Sequence, residues 1–452
     1  MTNFKPSQPS IDGNTDPRHR TDGLGWVTRA VFPDDRVKLS VTARSTGNTV
    51  SDPAGSAAYV TQNAQPQWRT VGRFTVVPSV ARARFLLPTV SRQVTAASLL
   101  AYNALRPSRV RAARRMLGTA ARLGLVGLSR MPVLTVEVPS DVDSRELWLA
   151  DHLADVLGYD QLYPAIGIRP PDPNHKPTLQ LFDAQARPRG YAKLGWNPAT
   201  RRLVQAEAAA LRSLPRPQGQ TDYPLAPRLL TVEEWAGQVV AVIEPLPSSV
   251  RRLPDPTRPH LAAMCAVARR GGPPAEPRPL GGSDFIRRLA RRAEEATAGP
   301  DSEAGQLVRR AVTALERRDA EVTLEFGDWH GDWVPWNLGL YLDDDGVDRL
   351  VAWDWEHTGS DVPLGFDLAH QAFQSALTLA GAPAETATLA AEAALERYGP
   401  QLGLDAIRQR TVLDAYLIEL WLRTWTLACG DAGWNPALHP ALPRLLATRL
   451  PA

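Results

Sequence analysis

Asp332 and Asn337 stand five positions apart in the stretch His330 to Asn337, "HGDWVPWN", and Asp354 follows in "RLVAWDWE" after a turn at Asp343 to Gly346. A hairpin-like layout would bring these three side chains together at one end of two short strands. Two carboxylates and a carboxamide are hard oxygen donors, suited to Mg²⁺, which keeps several waters and needs few protein ligands. A carboxylate left free of metal can orient a hydroxyl and accept its proton. Asp328 repeats the "GDW" of Asp332 but has no Asn five positions later, so it is not favoured as the reactive residue.

Lys193 is the second signal. The chain has four lysines against 47 arginines, so a lysine in a structured place needs a reason. Lys193 lies mid-strand in "GYAKLGW", on the face opposite Ala192 and Leu194. In the next helix Leu203, Glu207, Ala210 and Leu214 form one stripe, which sets Glu207 on the apolar, sheet-facing side. An unpaired carboxylate there is expensive, and Lys193 is the obvious partner. Trp329, Trp333, Trp336, Trp353 and Trp355 read mostly as packing, with one of them able to stack on a substrate. His330 reads as a core histidine that pins its loop rather than as a metal ligand.

"HGDWVPWN" matches the H-G-D-x-x-x-x-N loop of the aminoglycoside phosphotransferase and choline kinase-like families, and its spacing resembles the protein-kinase catalytic loop. "VAWDWE" is similar to the I-D-W-E segment of those small-molecule kinases. "PLGFDLAH", with Asp367, resembles their P-x-x-D-L-A, and "VIEPLP" looks like the hinge that meets adenine. The resemblance covers roughly residues 145 to 450. It implies a protein-kinase-like two-lobed α+β fold, with a small antiparallel-sheet lobe and a large helical lobe. It implies an ATP- and Mg²⁺-dependent transfer of the γ-phosphate to a hydroxyl of a small molecule such as an aminoglycoside, choline or a sugar. Asp332 would be the base, Asn337 and Asp354 would hold Mg²⁺, and Lys193, aligned by Glu207, would contact phosphates. Glu244 and Leu246 would receive adenine, with His330 and Asp367 supporting the site. One departure is the loop "RPPDPNHKP", which has no glycine where backbone N–H groups usually approach phosphates; Asn174, His175 or Lys176 would have to substitute.

The elements that must position these residues divide the chain. Residues 1 to 66, rich in Pro, Gly, Ser and Asn, read as a mostly disordered leader whose removal should leave the fold intact. Residues 67 to 144 read as an extra N-terminal module of strands and helices, 145 to 247 as the strand-rich lobe with one helix, and 248 to 452 as the helical lobe. Residues 53 to 136 contain twelve Arg and no Asp, Glu or Lys, whereas residues 137 to 452 carry a net charge of −10. This basic segment could meet phosphates, an acidic membrane surface or the acidic remainder of the protein. It lacks the aromatic interleaving of a nucleic-acid binder, so no nucleic-acid partner is expected.

No run of about 18 apolar residues is present, so no membrane span is expected. The N-terminus lacks the apolar core of a signal peptide, and the two cysteines, Cys265 and Cys429, fit a reducing compartment, so the expected location is cytoplasmic. Two rival readings stand beside the kinase. One is a catalytically silent binding or scaffold protein with the same fold. The other is a metal-dependent hydrolase using Asp332, Asp354, Glu356, His330 and His357.

Overall fold

Alternating burial along "VLTVEVP" and a continuously buried end of "PRGYAKLG" mark an outer and an inner strand of one antiparallel sheet. The computed structural model describes residues 16–20, 23–42, 67–101, 105–125, 131–168, 174–216 and 222–451. Its sheet contains β1 (Lys38–Thr42), β2 (Trp68–Val77), β3 (Phe85–Pro88), β4 (Val133–Pro139), β5 (Tyr163–Gly167), β6 (Thr178–Phe182), β7 (Pro188–Gly195), β8 (Leu229–Trp235) and β9 (Gln238–Ile243). The strand order is β1-β4-β2-β3-β5-β6-β7-β9-β8.

Helices cover both faces of this sheet. On one face α1 (Gly23–Val31), α4 (Ser144–Leu147) and α5 (Leu149–Leu157) bury Leu24, Val27, Val31, Leu149 and Leu153 against Leu179, Leu181, Leu194, Val240 and Val242. On the other, α6 (Pro198–Ser213) packs Val204 and Ala208 on Val239 and Ala241. α2 (Arg92–Leu100) buries Val94 against Ala165 and Phe182, and α3 (Ser108–Arg122) packs on α2. The α6 boundaries follow from local chemistry. Asn197 accepts from the Thr200 backbone N–H, the Thr200 hydroxyl takes the reciprocal bond, and Pro198 sits where its missing N–H costs nothing.

Two expectations are corrected here. Residues 23–42 are not a loose leader: α1 and β1 belong to the sheet and its core. Leu24, Val27, Ala30 and Val31 are fully buried, and each buried Val or Leu is worth roughly 1.5–3 kcal/mol. Removal of residues 1 to 66 would therefore strip the core. The polar composition around one short apolar run, "GLGWVTRAVF", hid this element. Of that leader, residues 1–15, 21–22 and 43–66 lie outside the described residues, as does most of the glycine-free loop, 169–173. Nor does a boundary near residue 144 separate two sheets, because β3 pairs with β5 through Phe85 opposite Gly167 and Leu86 opposite Ile166. Within "SRELWLADHLADVLG" the extended backbone of Trp148 separates α4 from α5.

The remainder is mainly helical: α7 (Leu261–Ala268), α8 (Asp284–Ala296), α9 (Ser302–Asp319), α10 (Phe366–Gln374), α11 (Ala384–Tyr398), α12 (Ala406–Ala428) and α13 (Ala441–Arg449). Phe285, Trp333, Trp355, Phe366, Tyr416 and Trp421 fill its core. Short strands interrupt it: β10 (Arg278–Pro279) with β11 (Thr323–Leu324), β12 (Phe326–Trp329) with β15 (Gly359–Pro363), and the hairpin β13 (Leu338–Leu342) with β14 (Asp348–Ala352). Among the described residues no helix is long and apolar enough to cross a membrane.

Candidate functional site

β7 and α6 supply the first part of the site. Lys193 stands opposite Ala241 on the α6 side of the sheet, and Glu207 faces it one helix layer away. Lys193 Nζ donates to Glu207 Oε1 at 2.6 Å and Oε2 at 2.7 Å, and to Asp354 Oδ1 at 2.5 Å. Both partners of the first pair are buried. Burial alone would favour the neutral amine, but Asp354 and Glu207 outweigh it and raise the Lys193 pKa, so the ammonium persists. Asp354 itself adopts a left-handed backbone, φ 65° and ψ 56°, a conformation that Asp tolerates better than most residues.

The "HGDWVPWN" loop is locked from several elements. Asp367, in the first turn of α10, accepts the backbone N–H groups of His330 at 2.9 Å and Gly331 at 3.1 Å. Gly331 is required: its φ is +79°, and a Cβ there would lie 1.9 Å from the His357 carbonyl. From α12, Arg423 Nη1 donates to the Gly331 carbonyl at 2.5 Å. His330 Nδ1 accepts from the Asp332 N–H at 3.1 Å, so Nε2 carries the proton and donates to the Trp353 carbonyl at 3.1 Å. Burial pushes this ring down to about 4, against the pull of Asp332 and Asp354, and the ring is neutral at pH 7. Both nitrogens are thereby committed, which removes His330 from the metal-hydrolase reading.

Asp332 is the half-exposed group at the centre. Asn337 Nδ2 donates to its Oδ2 at 2.7 Å, and His370 Nε2 lies 3.1 Å from its Oδ1. Burial would raise the Asp332 pKa, but the hydrogen bond from His370, with the positive field of Arg423, holds it well below the usual carboxylate range. His370, fully buried, also lies 3.1 Å from the Tyr416 hydroxyl.

The hairpin joins the two parts. Leu338 pairs with Ala352, and the Trp353 N–H donates to the Asn337 carbonyl at 3.1 Å, so Asn337 and Asp354 flank one hairpin end. With the Asn337 amide nitrogen bound to Asp332, its oxygen and the Asp354 carboxylate form a two-donor set whose chemistry fits Mg²⁺. Among the described residues no group of three or more His, Cys, Asp or Glu could hold a metal.

Glu244 and Leu246 follow β9. Glu244 is tied to Arg228, whose N–H donates to its carboxylate at 2.8 Å, and Leu246 carries the single N–H of the Pro245 to Pro247 stretch. Of the five clustered tryptophans, Trp329, Trp333 and Trp355 are buried and Trp336 is 40% exposed beside Asn337.

Several groups were not anticipated. His370 had a readable signal, since it follows Asp367 by one helical turn on α10. Arg423, from a helix about ninety residues downstream, had none. Neither did the ion pair between Lys176 and Glu356.

No family model and no curated protein sequence matches the chain. In structure the chain resembles small-molecule kinases. A thermostable mutant of an aminoglycoside phosphotransferase overlaps with 67% of this chain and 98% of its own, at 15% identity and a TM-score of 0.43. Choline kinase from Streptococcus pneumoniae overlaps with 67% and 97%, at 17% identity and a TM-score of 0.40. Plasmodium vivax ethanolamine kinase overlaps with 80% and 93%, at 12% identity and a TM-score of 0.36. These are remote likenesses of fold, and the functional reading rests on the side chains above.

Proposed function

We propose that the protein is an ATP- and Mg²⁺-dependent phosphotransferase that moves the γ-phosphate to a hydroxyl of a small molecule. The sheet with α6 and the helical body are read as the two lobes of a protein-kinase-like fold. The observation that carries this is one assembly: Lys193, paired with Glu207, touches Asp354 at the end of the hairpin whose other strand begins beside Asn337 and its partner Asp332. A hydrolase needs neither the buried lysine pair nor the Glu244 to Pro247 segment.

In this reading Asp332 receives the acceptor hydroxyl. Its lowered pKa keeps it ionised, and the bonds from Asn337 and His370 fix its plane before the substrate arrives. Lys193 binds nucleotide phosphates, with Glu207 holding its ammonium in place. Asn337 and Asp354 would hold Mg²⁺, which supplies charge neutralisation at the phosphates when bound. Glu244 and Leu246 mark the segment that would receive adenine, and Trp336 offers an exposed ring to the acceptor. The acceptor class remains a small-molecule alcohol, with a cationic one favoured only by the diffuse negative charge of residues 137 to 452.

The test is a thermal melt of wild type and Asp354→Ala with ATP, with and without Mg²⁺. Wild type should shift upward with Mg-ATP, and the variant should lose the metal-dependent part of that shift. A wild type indifferent to ATP would end the nucleotide reading and promote the scaffold alternative. A positive shift makes an acceptor screen with ATP consumption as readout the next step.

A further inference from the structure

Two of the four lysines in an arginine-rich chain converge on the same short turn. Lys193 binds Asp354, and Lys176 binds Glu356 two residues further on. The second pair is well sheltered, with side-chain exposures of 11% and 7%. The backbone explains the convergence. The Leu194 N–H donates to the Pro177 carbonyl at 3.2 Å, and Thr178 stands opposite Lys193 in the β6–β7 register. Lys176 therefore enters the site beside Lys193, from the last residues of the connection between β5 and β6.

A separate set of contacts holds that connection. Trp26, from α1, presents its ring to His175 with centroids 4.6 Å apart and planes at 82°. Trp196, just after β7, lies 5.4 Å from His175 and 6.2 Å from Trp26, and its Nε1 donates to the His175 carbonyl at 3.1 Å. Trp26 is only 5% exposed, so α1 forms a fixed backing for residues 174–176.

We propose that Lys176 is a second phosphate-binding lysine of this site, parked on Glu356 and held in position by α1 through Trp26. The inference rests on the reading of the cleft as a Mg-nucleotide site. It gives the glycine-free connection its grip: an ammonium on a flexible stem, with three donors, does what closely approaching backbone N–H groups do in a glycine-rich loop. A buried pair with no further task would be served better by arginine, whose planar fork matches a carboxylate and which this chain uses almost everywhere else. Glu356 is then a counter-charge that nucleotide phosphates displace. The N-terminal part of the chain becomes part of the nucleotide site.

The test is calorimetric titration of the full chain with ATP plus Mg²⁺ and, separately, with adenosine. The variants are Lys176→Met, Glu356→Gln, Trp26→Leu and, as reference, Lys193→Met. Lys176→Met should weaken ATP roughly ten- to hundredfold, the worth of one charge-assisted hydrogen bond, and leave adenosine unchanged. Glu356→Gln should tighten ATP, because the competing carboxylate is gone, and this gain should vanish when Lys176→Met is added. Trp26→Leu should weaken ATP by a smaller factor, again without effect on adenosine. The inference is overturned if Lys176→Met binds ATP as wild type does while Lys193→Met does not, or if Glu356→Gln weakens ATP. Should Lys176→Met fail to fold, the sign of the Glu356→Gln effect decides. A wild type that binds neither ATP nor adenosine brings down the nucleotide reading and this inference with it.

Discussion

The Asp332 loop and the lysine wall across from it hold their polar groups by opposite means. In the loop the decisive contacts are backbone N–H donors, a neutral imidazole and a carboxamide, each with a fixed partner. At the lysine wall they are ammonium groups among carboxylates, with Lys193 shared between Glu207 and Asp354. A set of neutral donors with fixed partners preorganises a carboxylate at little electrostatic risk. A cluster of mixed charges can exchange one anion for another, which suits the phosphate-binding role proposed for this wall. The difference predicts that substitutions in the loop change turnover, whereas those in the wall change stability and nucleotide affinity.

The sharpest way to break this contrast is Asp332→Asn. Turnover should fall by roughly 10²- to 10⁴-fold, the usual share of a positioned base, with nucleotide affinity changed less than about threefold. A variant that loses ATP binding in step with turnover would put Asp332 on the wrong wall. Next is Glu207→Ala, which leaves the Lys193 ammonium buried with half its partners. A loss of about 3–5 kcal/mol in urea unfolding is expected. An unchanged midpoint would mean that Asp354 alone holds the ammonium.

Two opposing pH effects sharpen the picture of the loop. His330 titrates near 4 in the fold and near 6.5 when unfolded, so its contribution to stability is lost as pH falls from about 6.5 to about 4. Burial pushes Asp367 up to about 7, against the two backbone N–H bonds that favour its charged form. Its unfolded value is near 3.9, so its contribution is lost as pH rises from about 4 through about 7. In urea unfolding over that range, Asp367→Asn should leave stability rising with pH, and His330→Gln should leave it falling. Parallel slopes in the two variants would contradict both assignments. The smallest effect belongs outside the site. Arg251→Ala removes a half-exposed pair with Asp348 and should cost less than about 1 kcal/mol.

What was legible in the sequence was short-range. The stripe through Leu203, Glu207 and Ala210 placed Glu207 on the buried side of α6, where it meets Lys193. The five-residue step from Asp332 to Asn337 and the turn before "LVAWDWE" placed three side chains near one hairpin. The illegible part was long-range. Nothing in "GLGWVTRAVF" indicates that Trp26 will meet His175, or that Ala30 will accept from Gln238 Nε2 at 2.7 Å across more than two hundred residues. Periodicity reveals which face of an element is apolar and is silent about which other element covers it. For the same reason residues 67 to 144 read as a separate module, although β3 continues the sheet into β5.

That continuity has a practical side. A fragment starting at residue 145, where the recognisable motifs begin, would leave β5 without its neighbour β3. Its unpaired N–H and C=O groups would become a strand edge open to other chains. The same cut would strip α1 from the apolar face around Leu179, Leu181, Leu194 and Val240, leaving α5 as its main remaining cover. Such a fragment should self-associate and precipitate, whereas one that also keeps residues 23–42 and 67–144 retains both the neighbouring strand and the apolar cover.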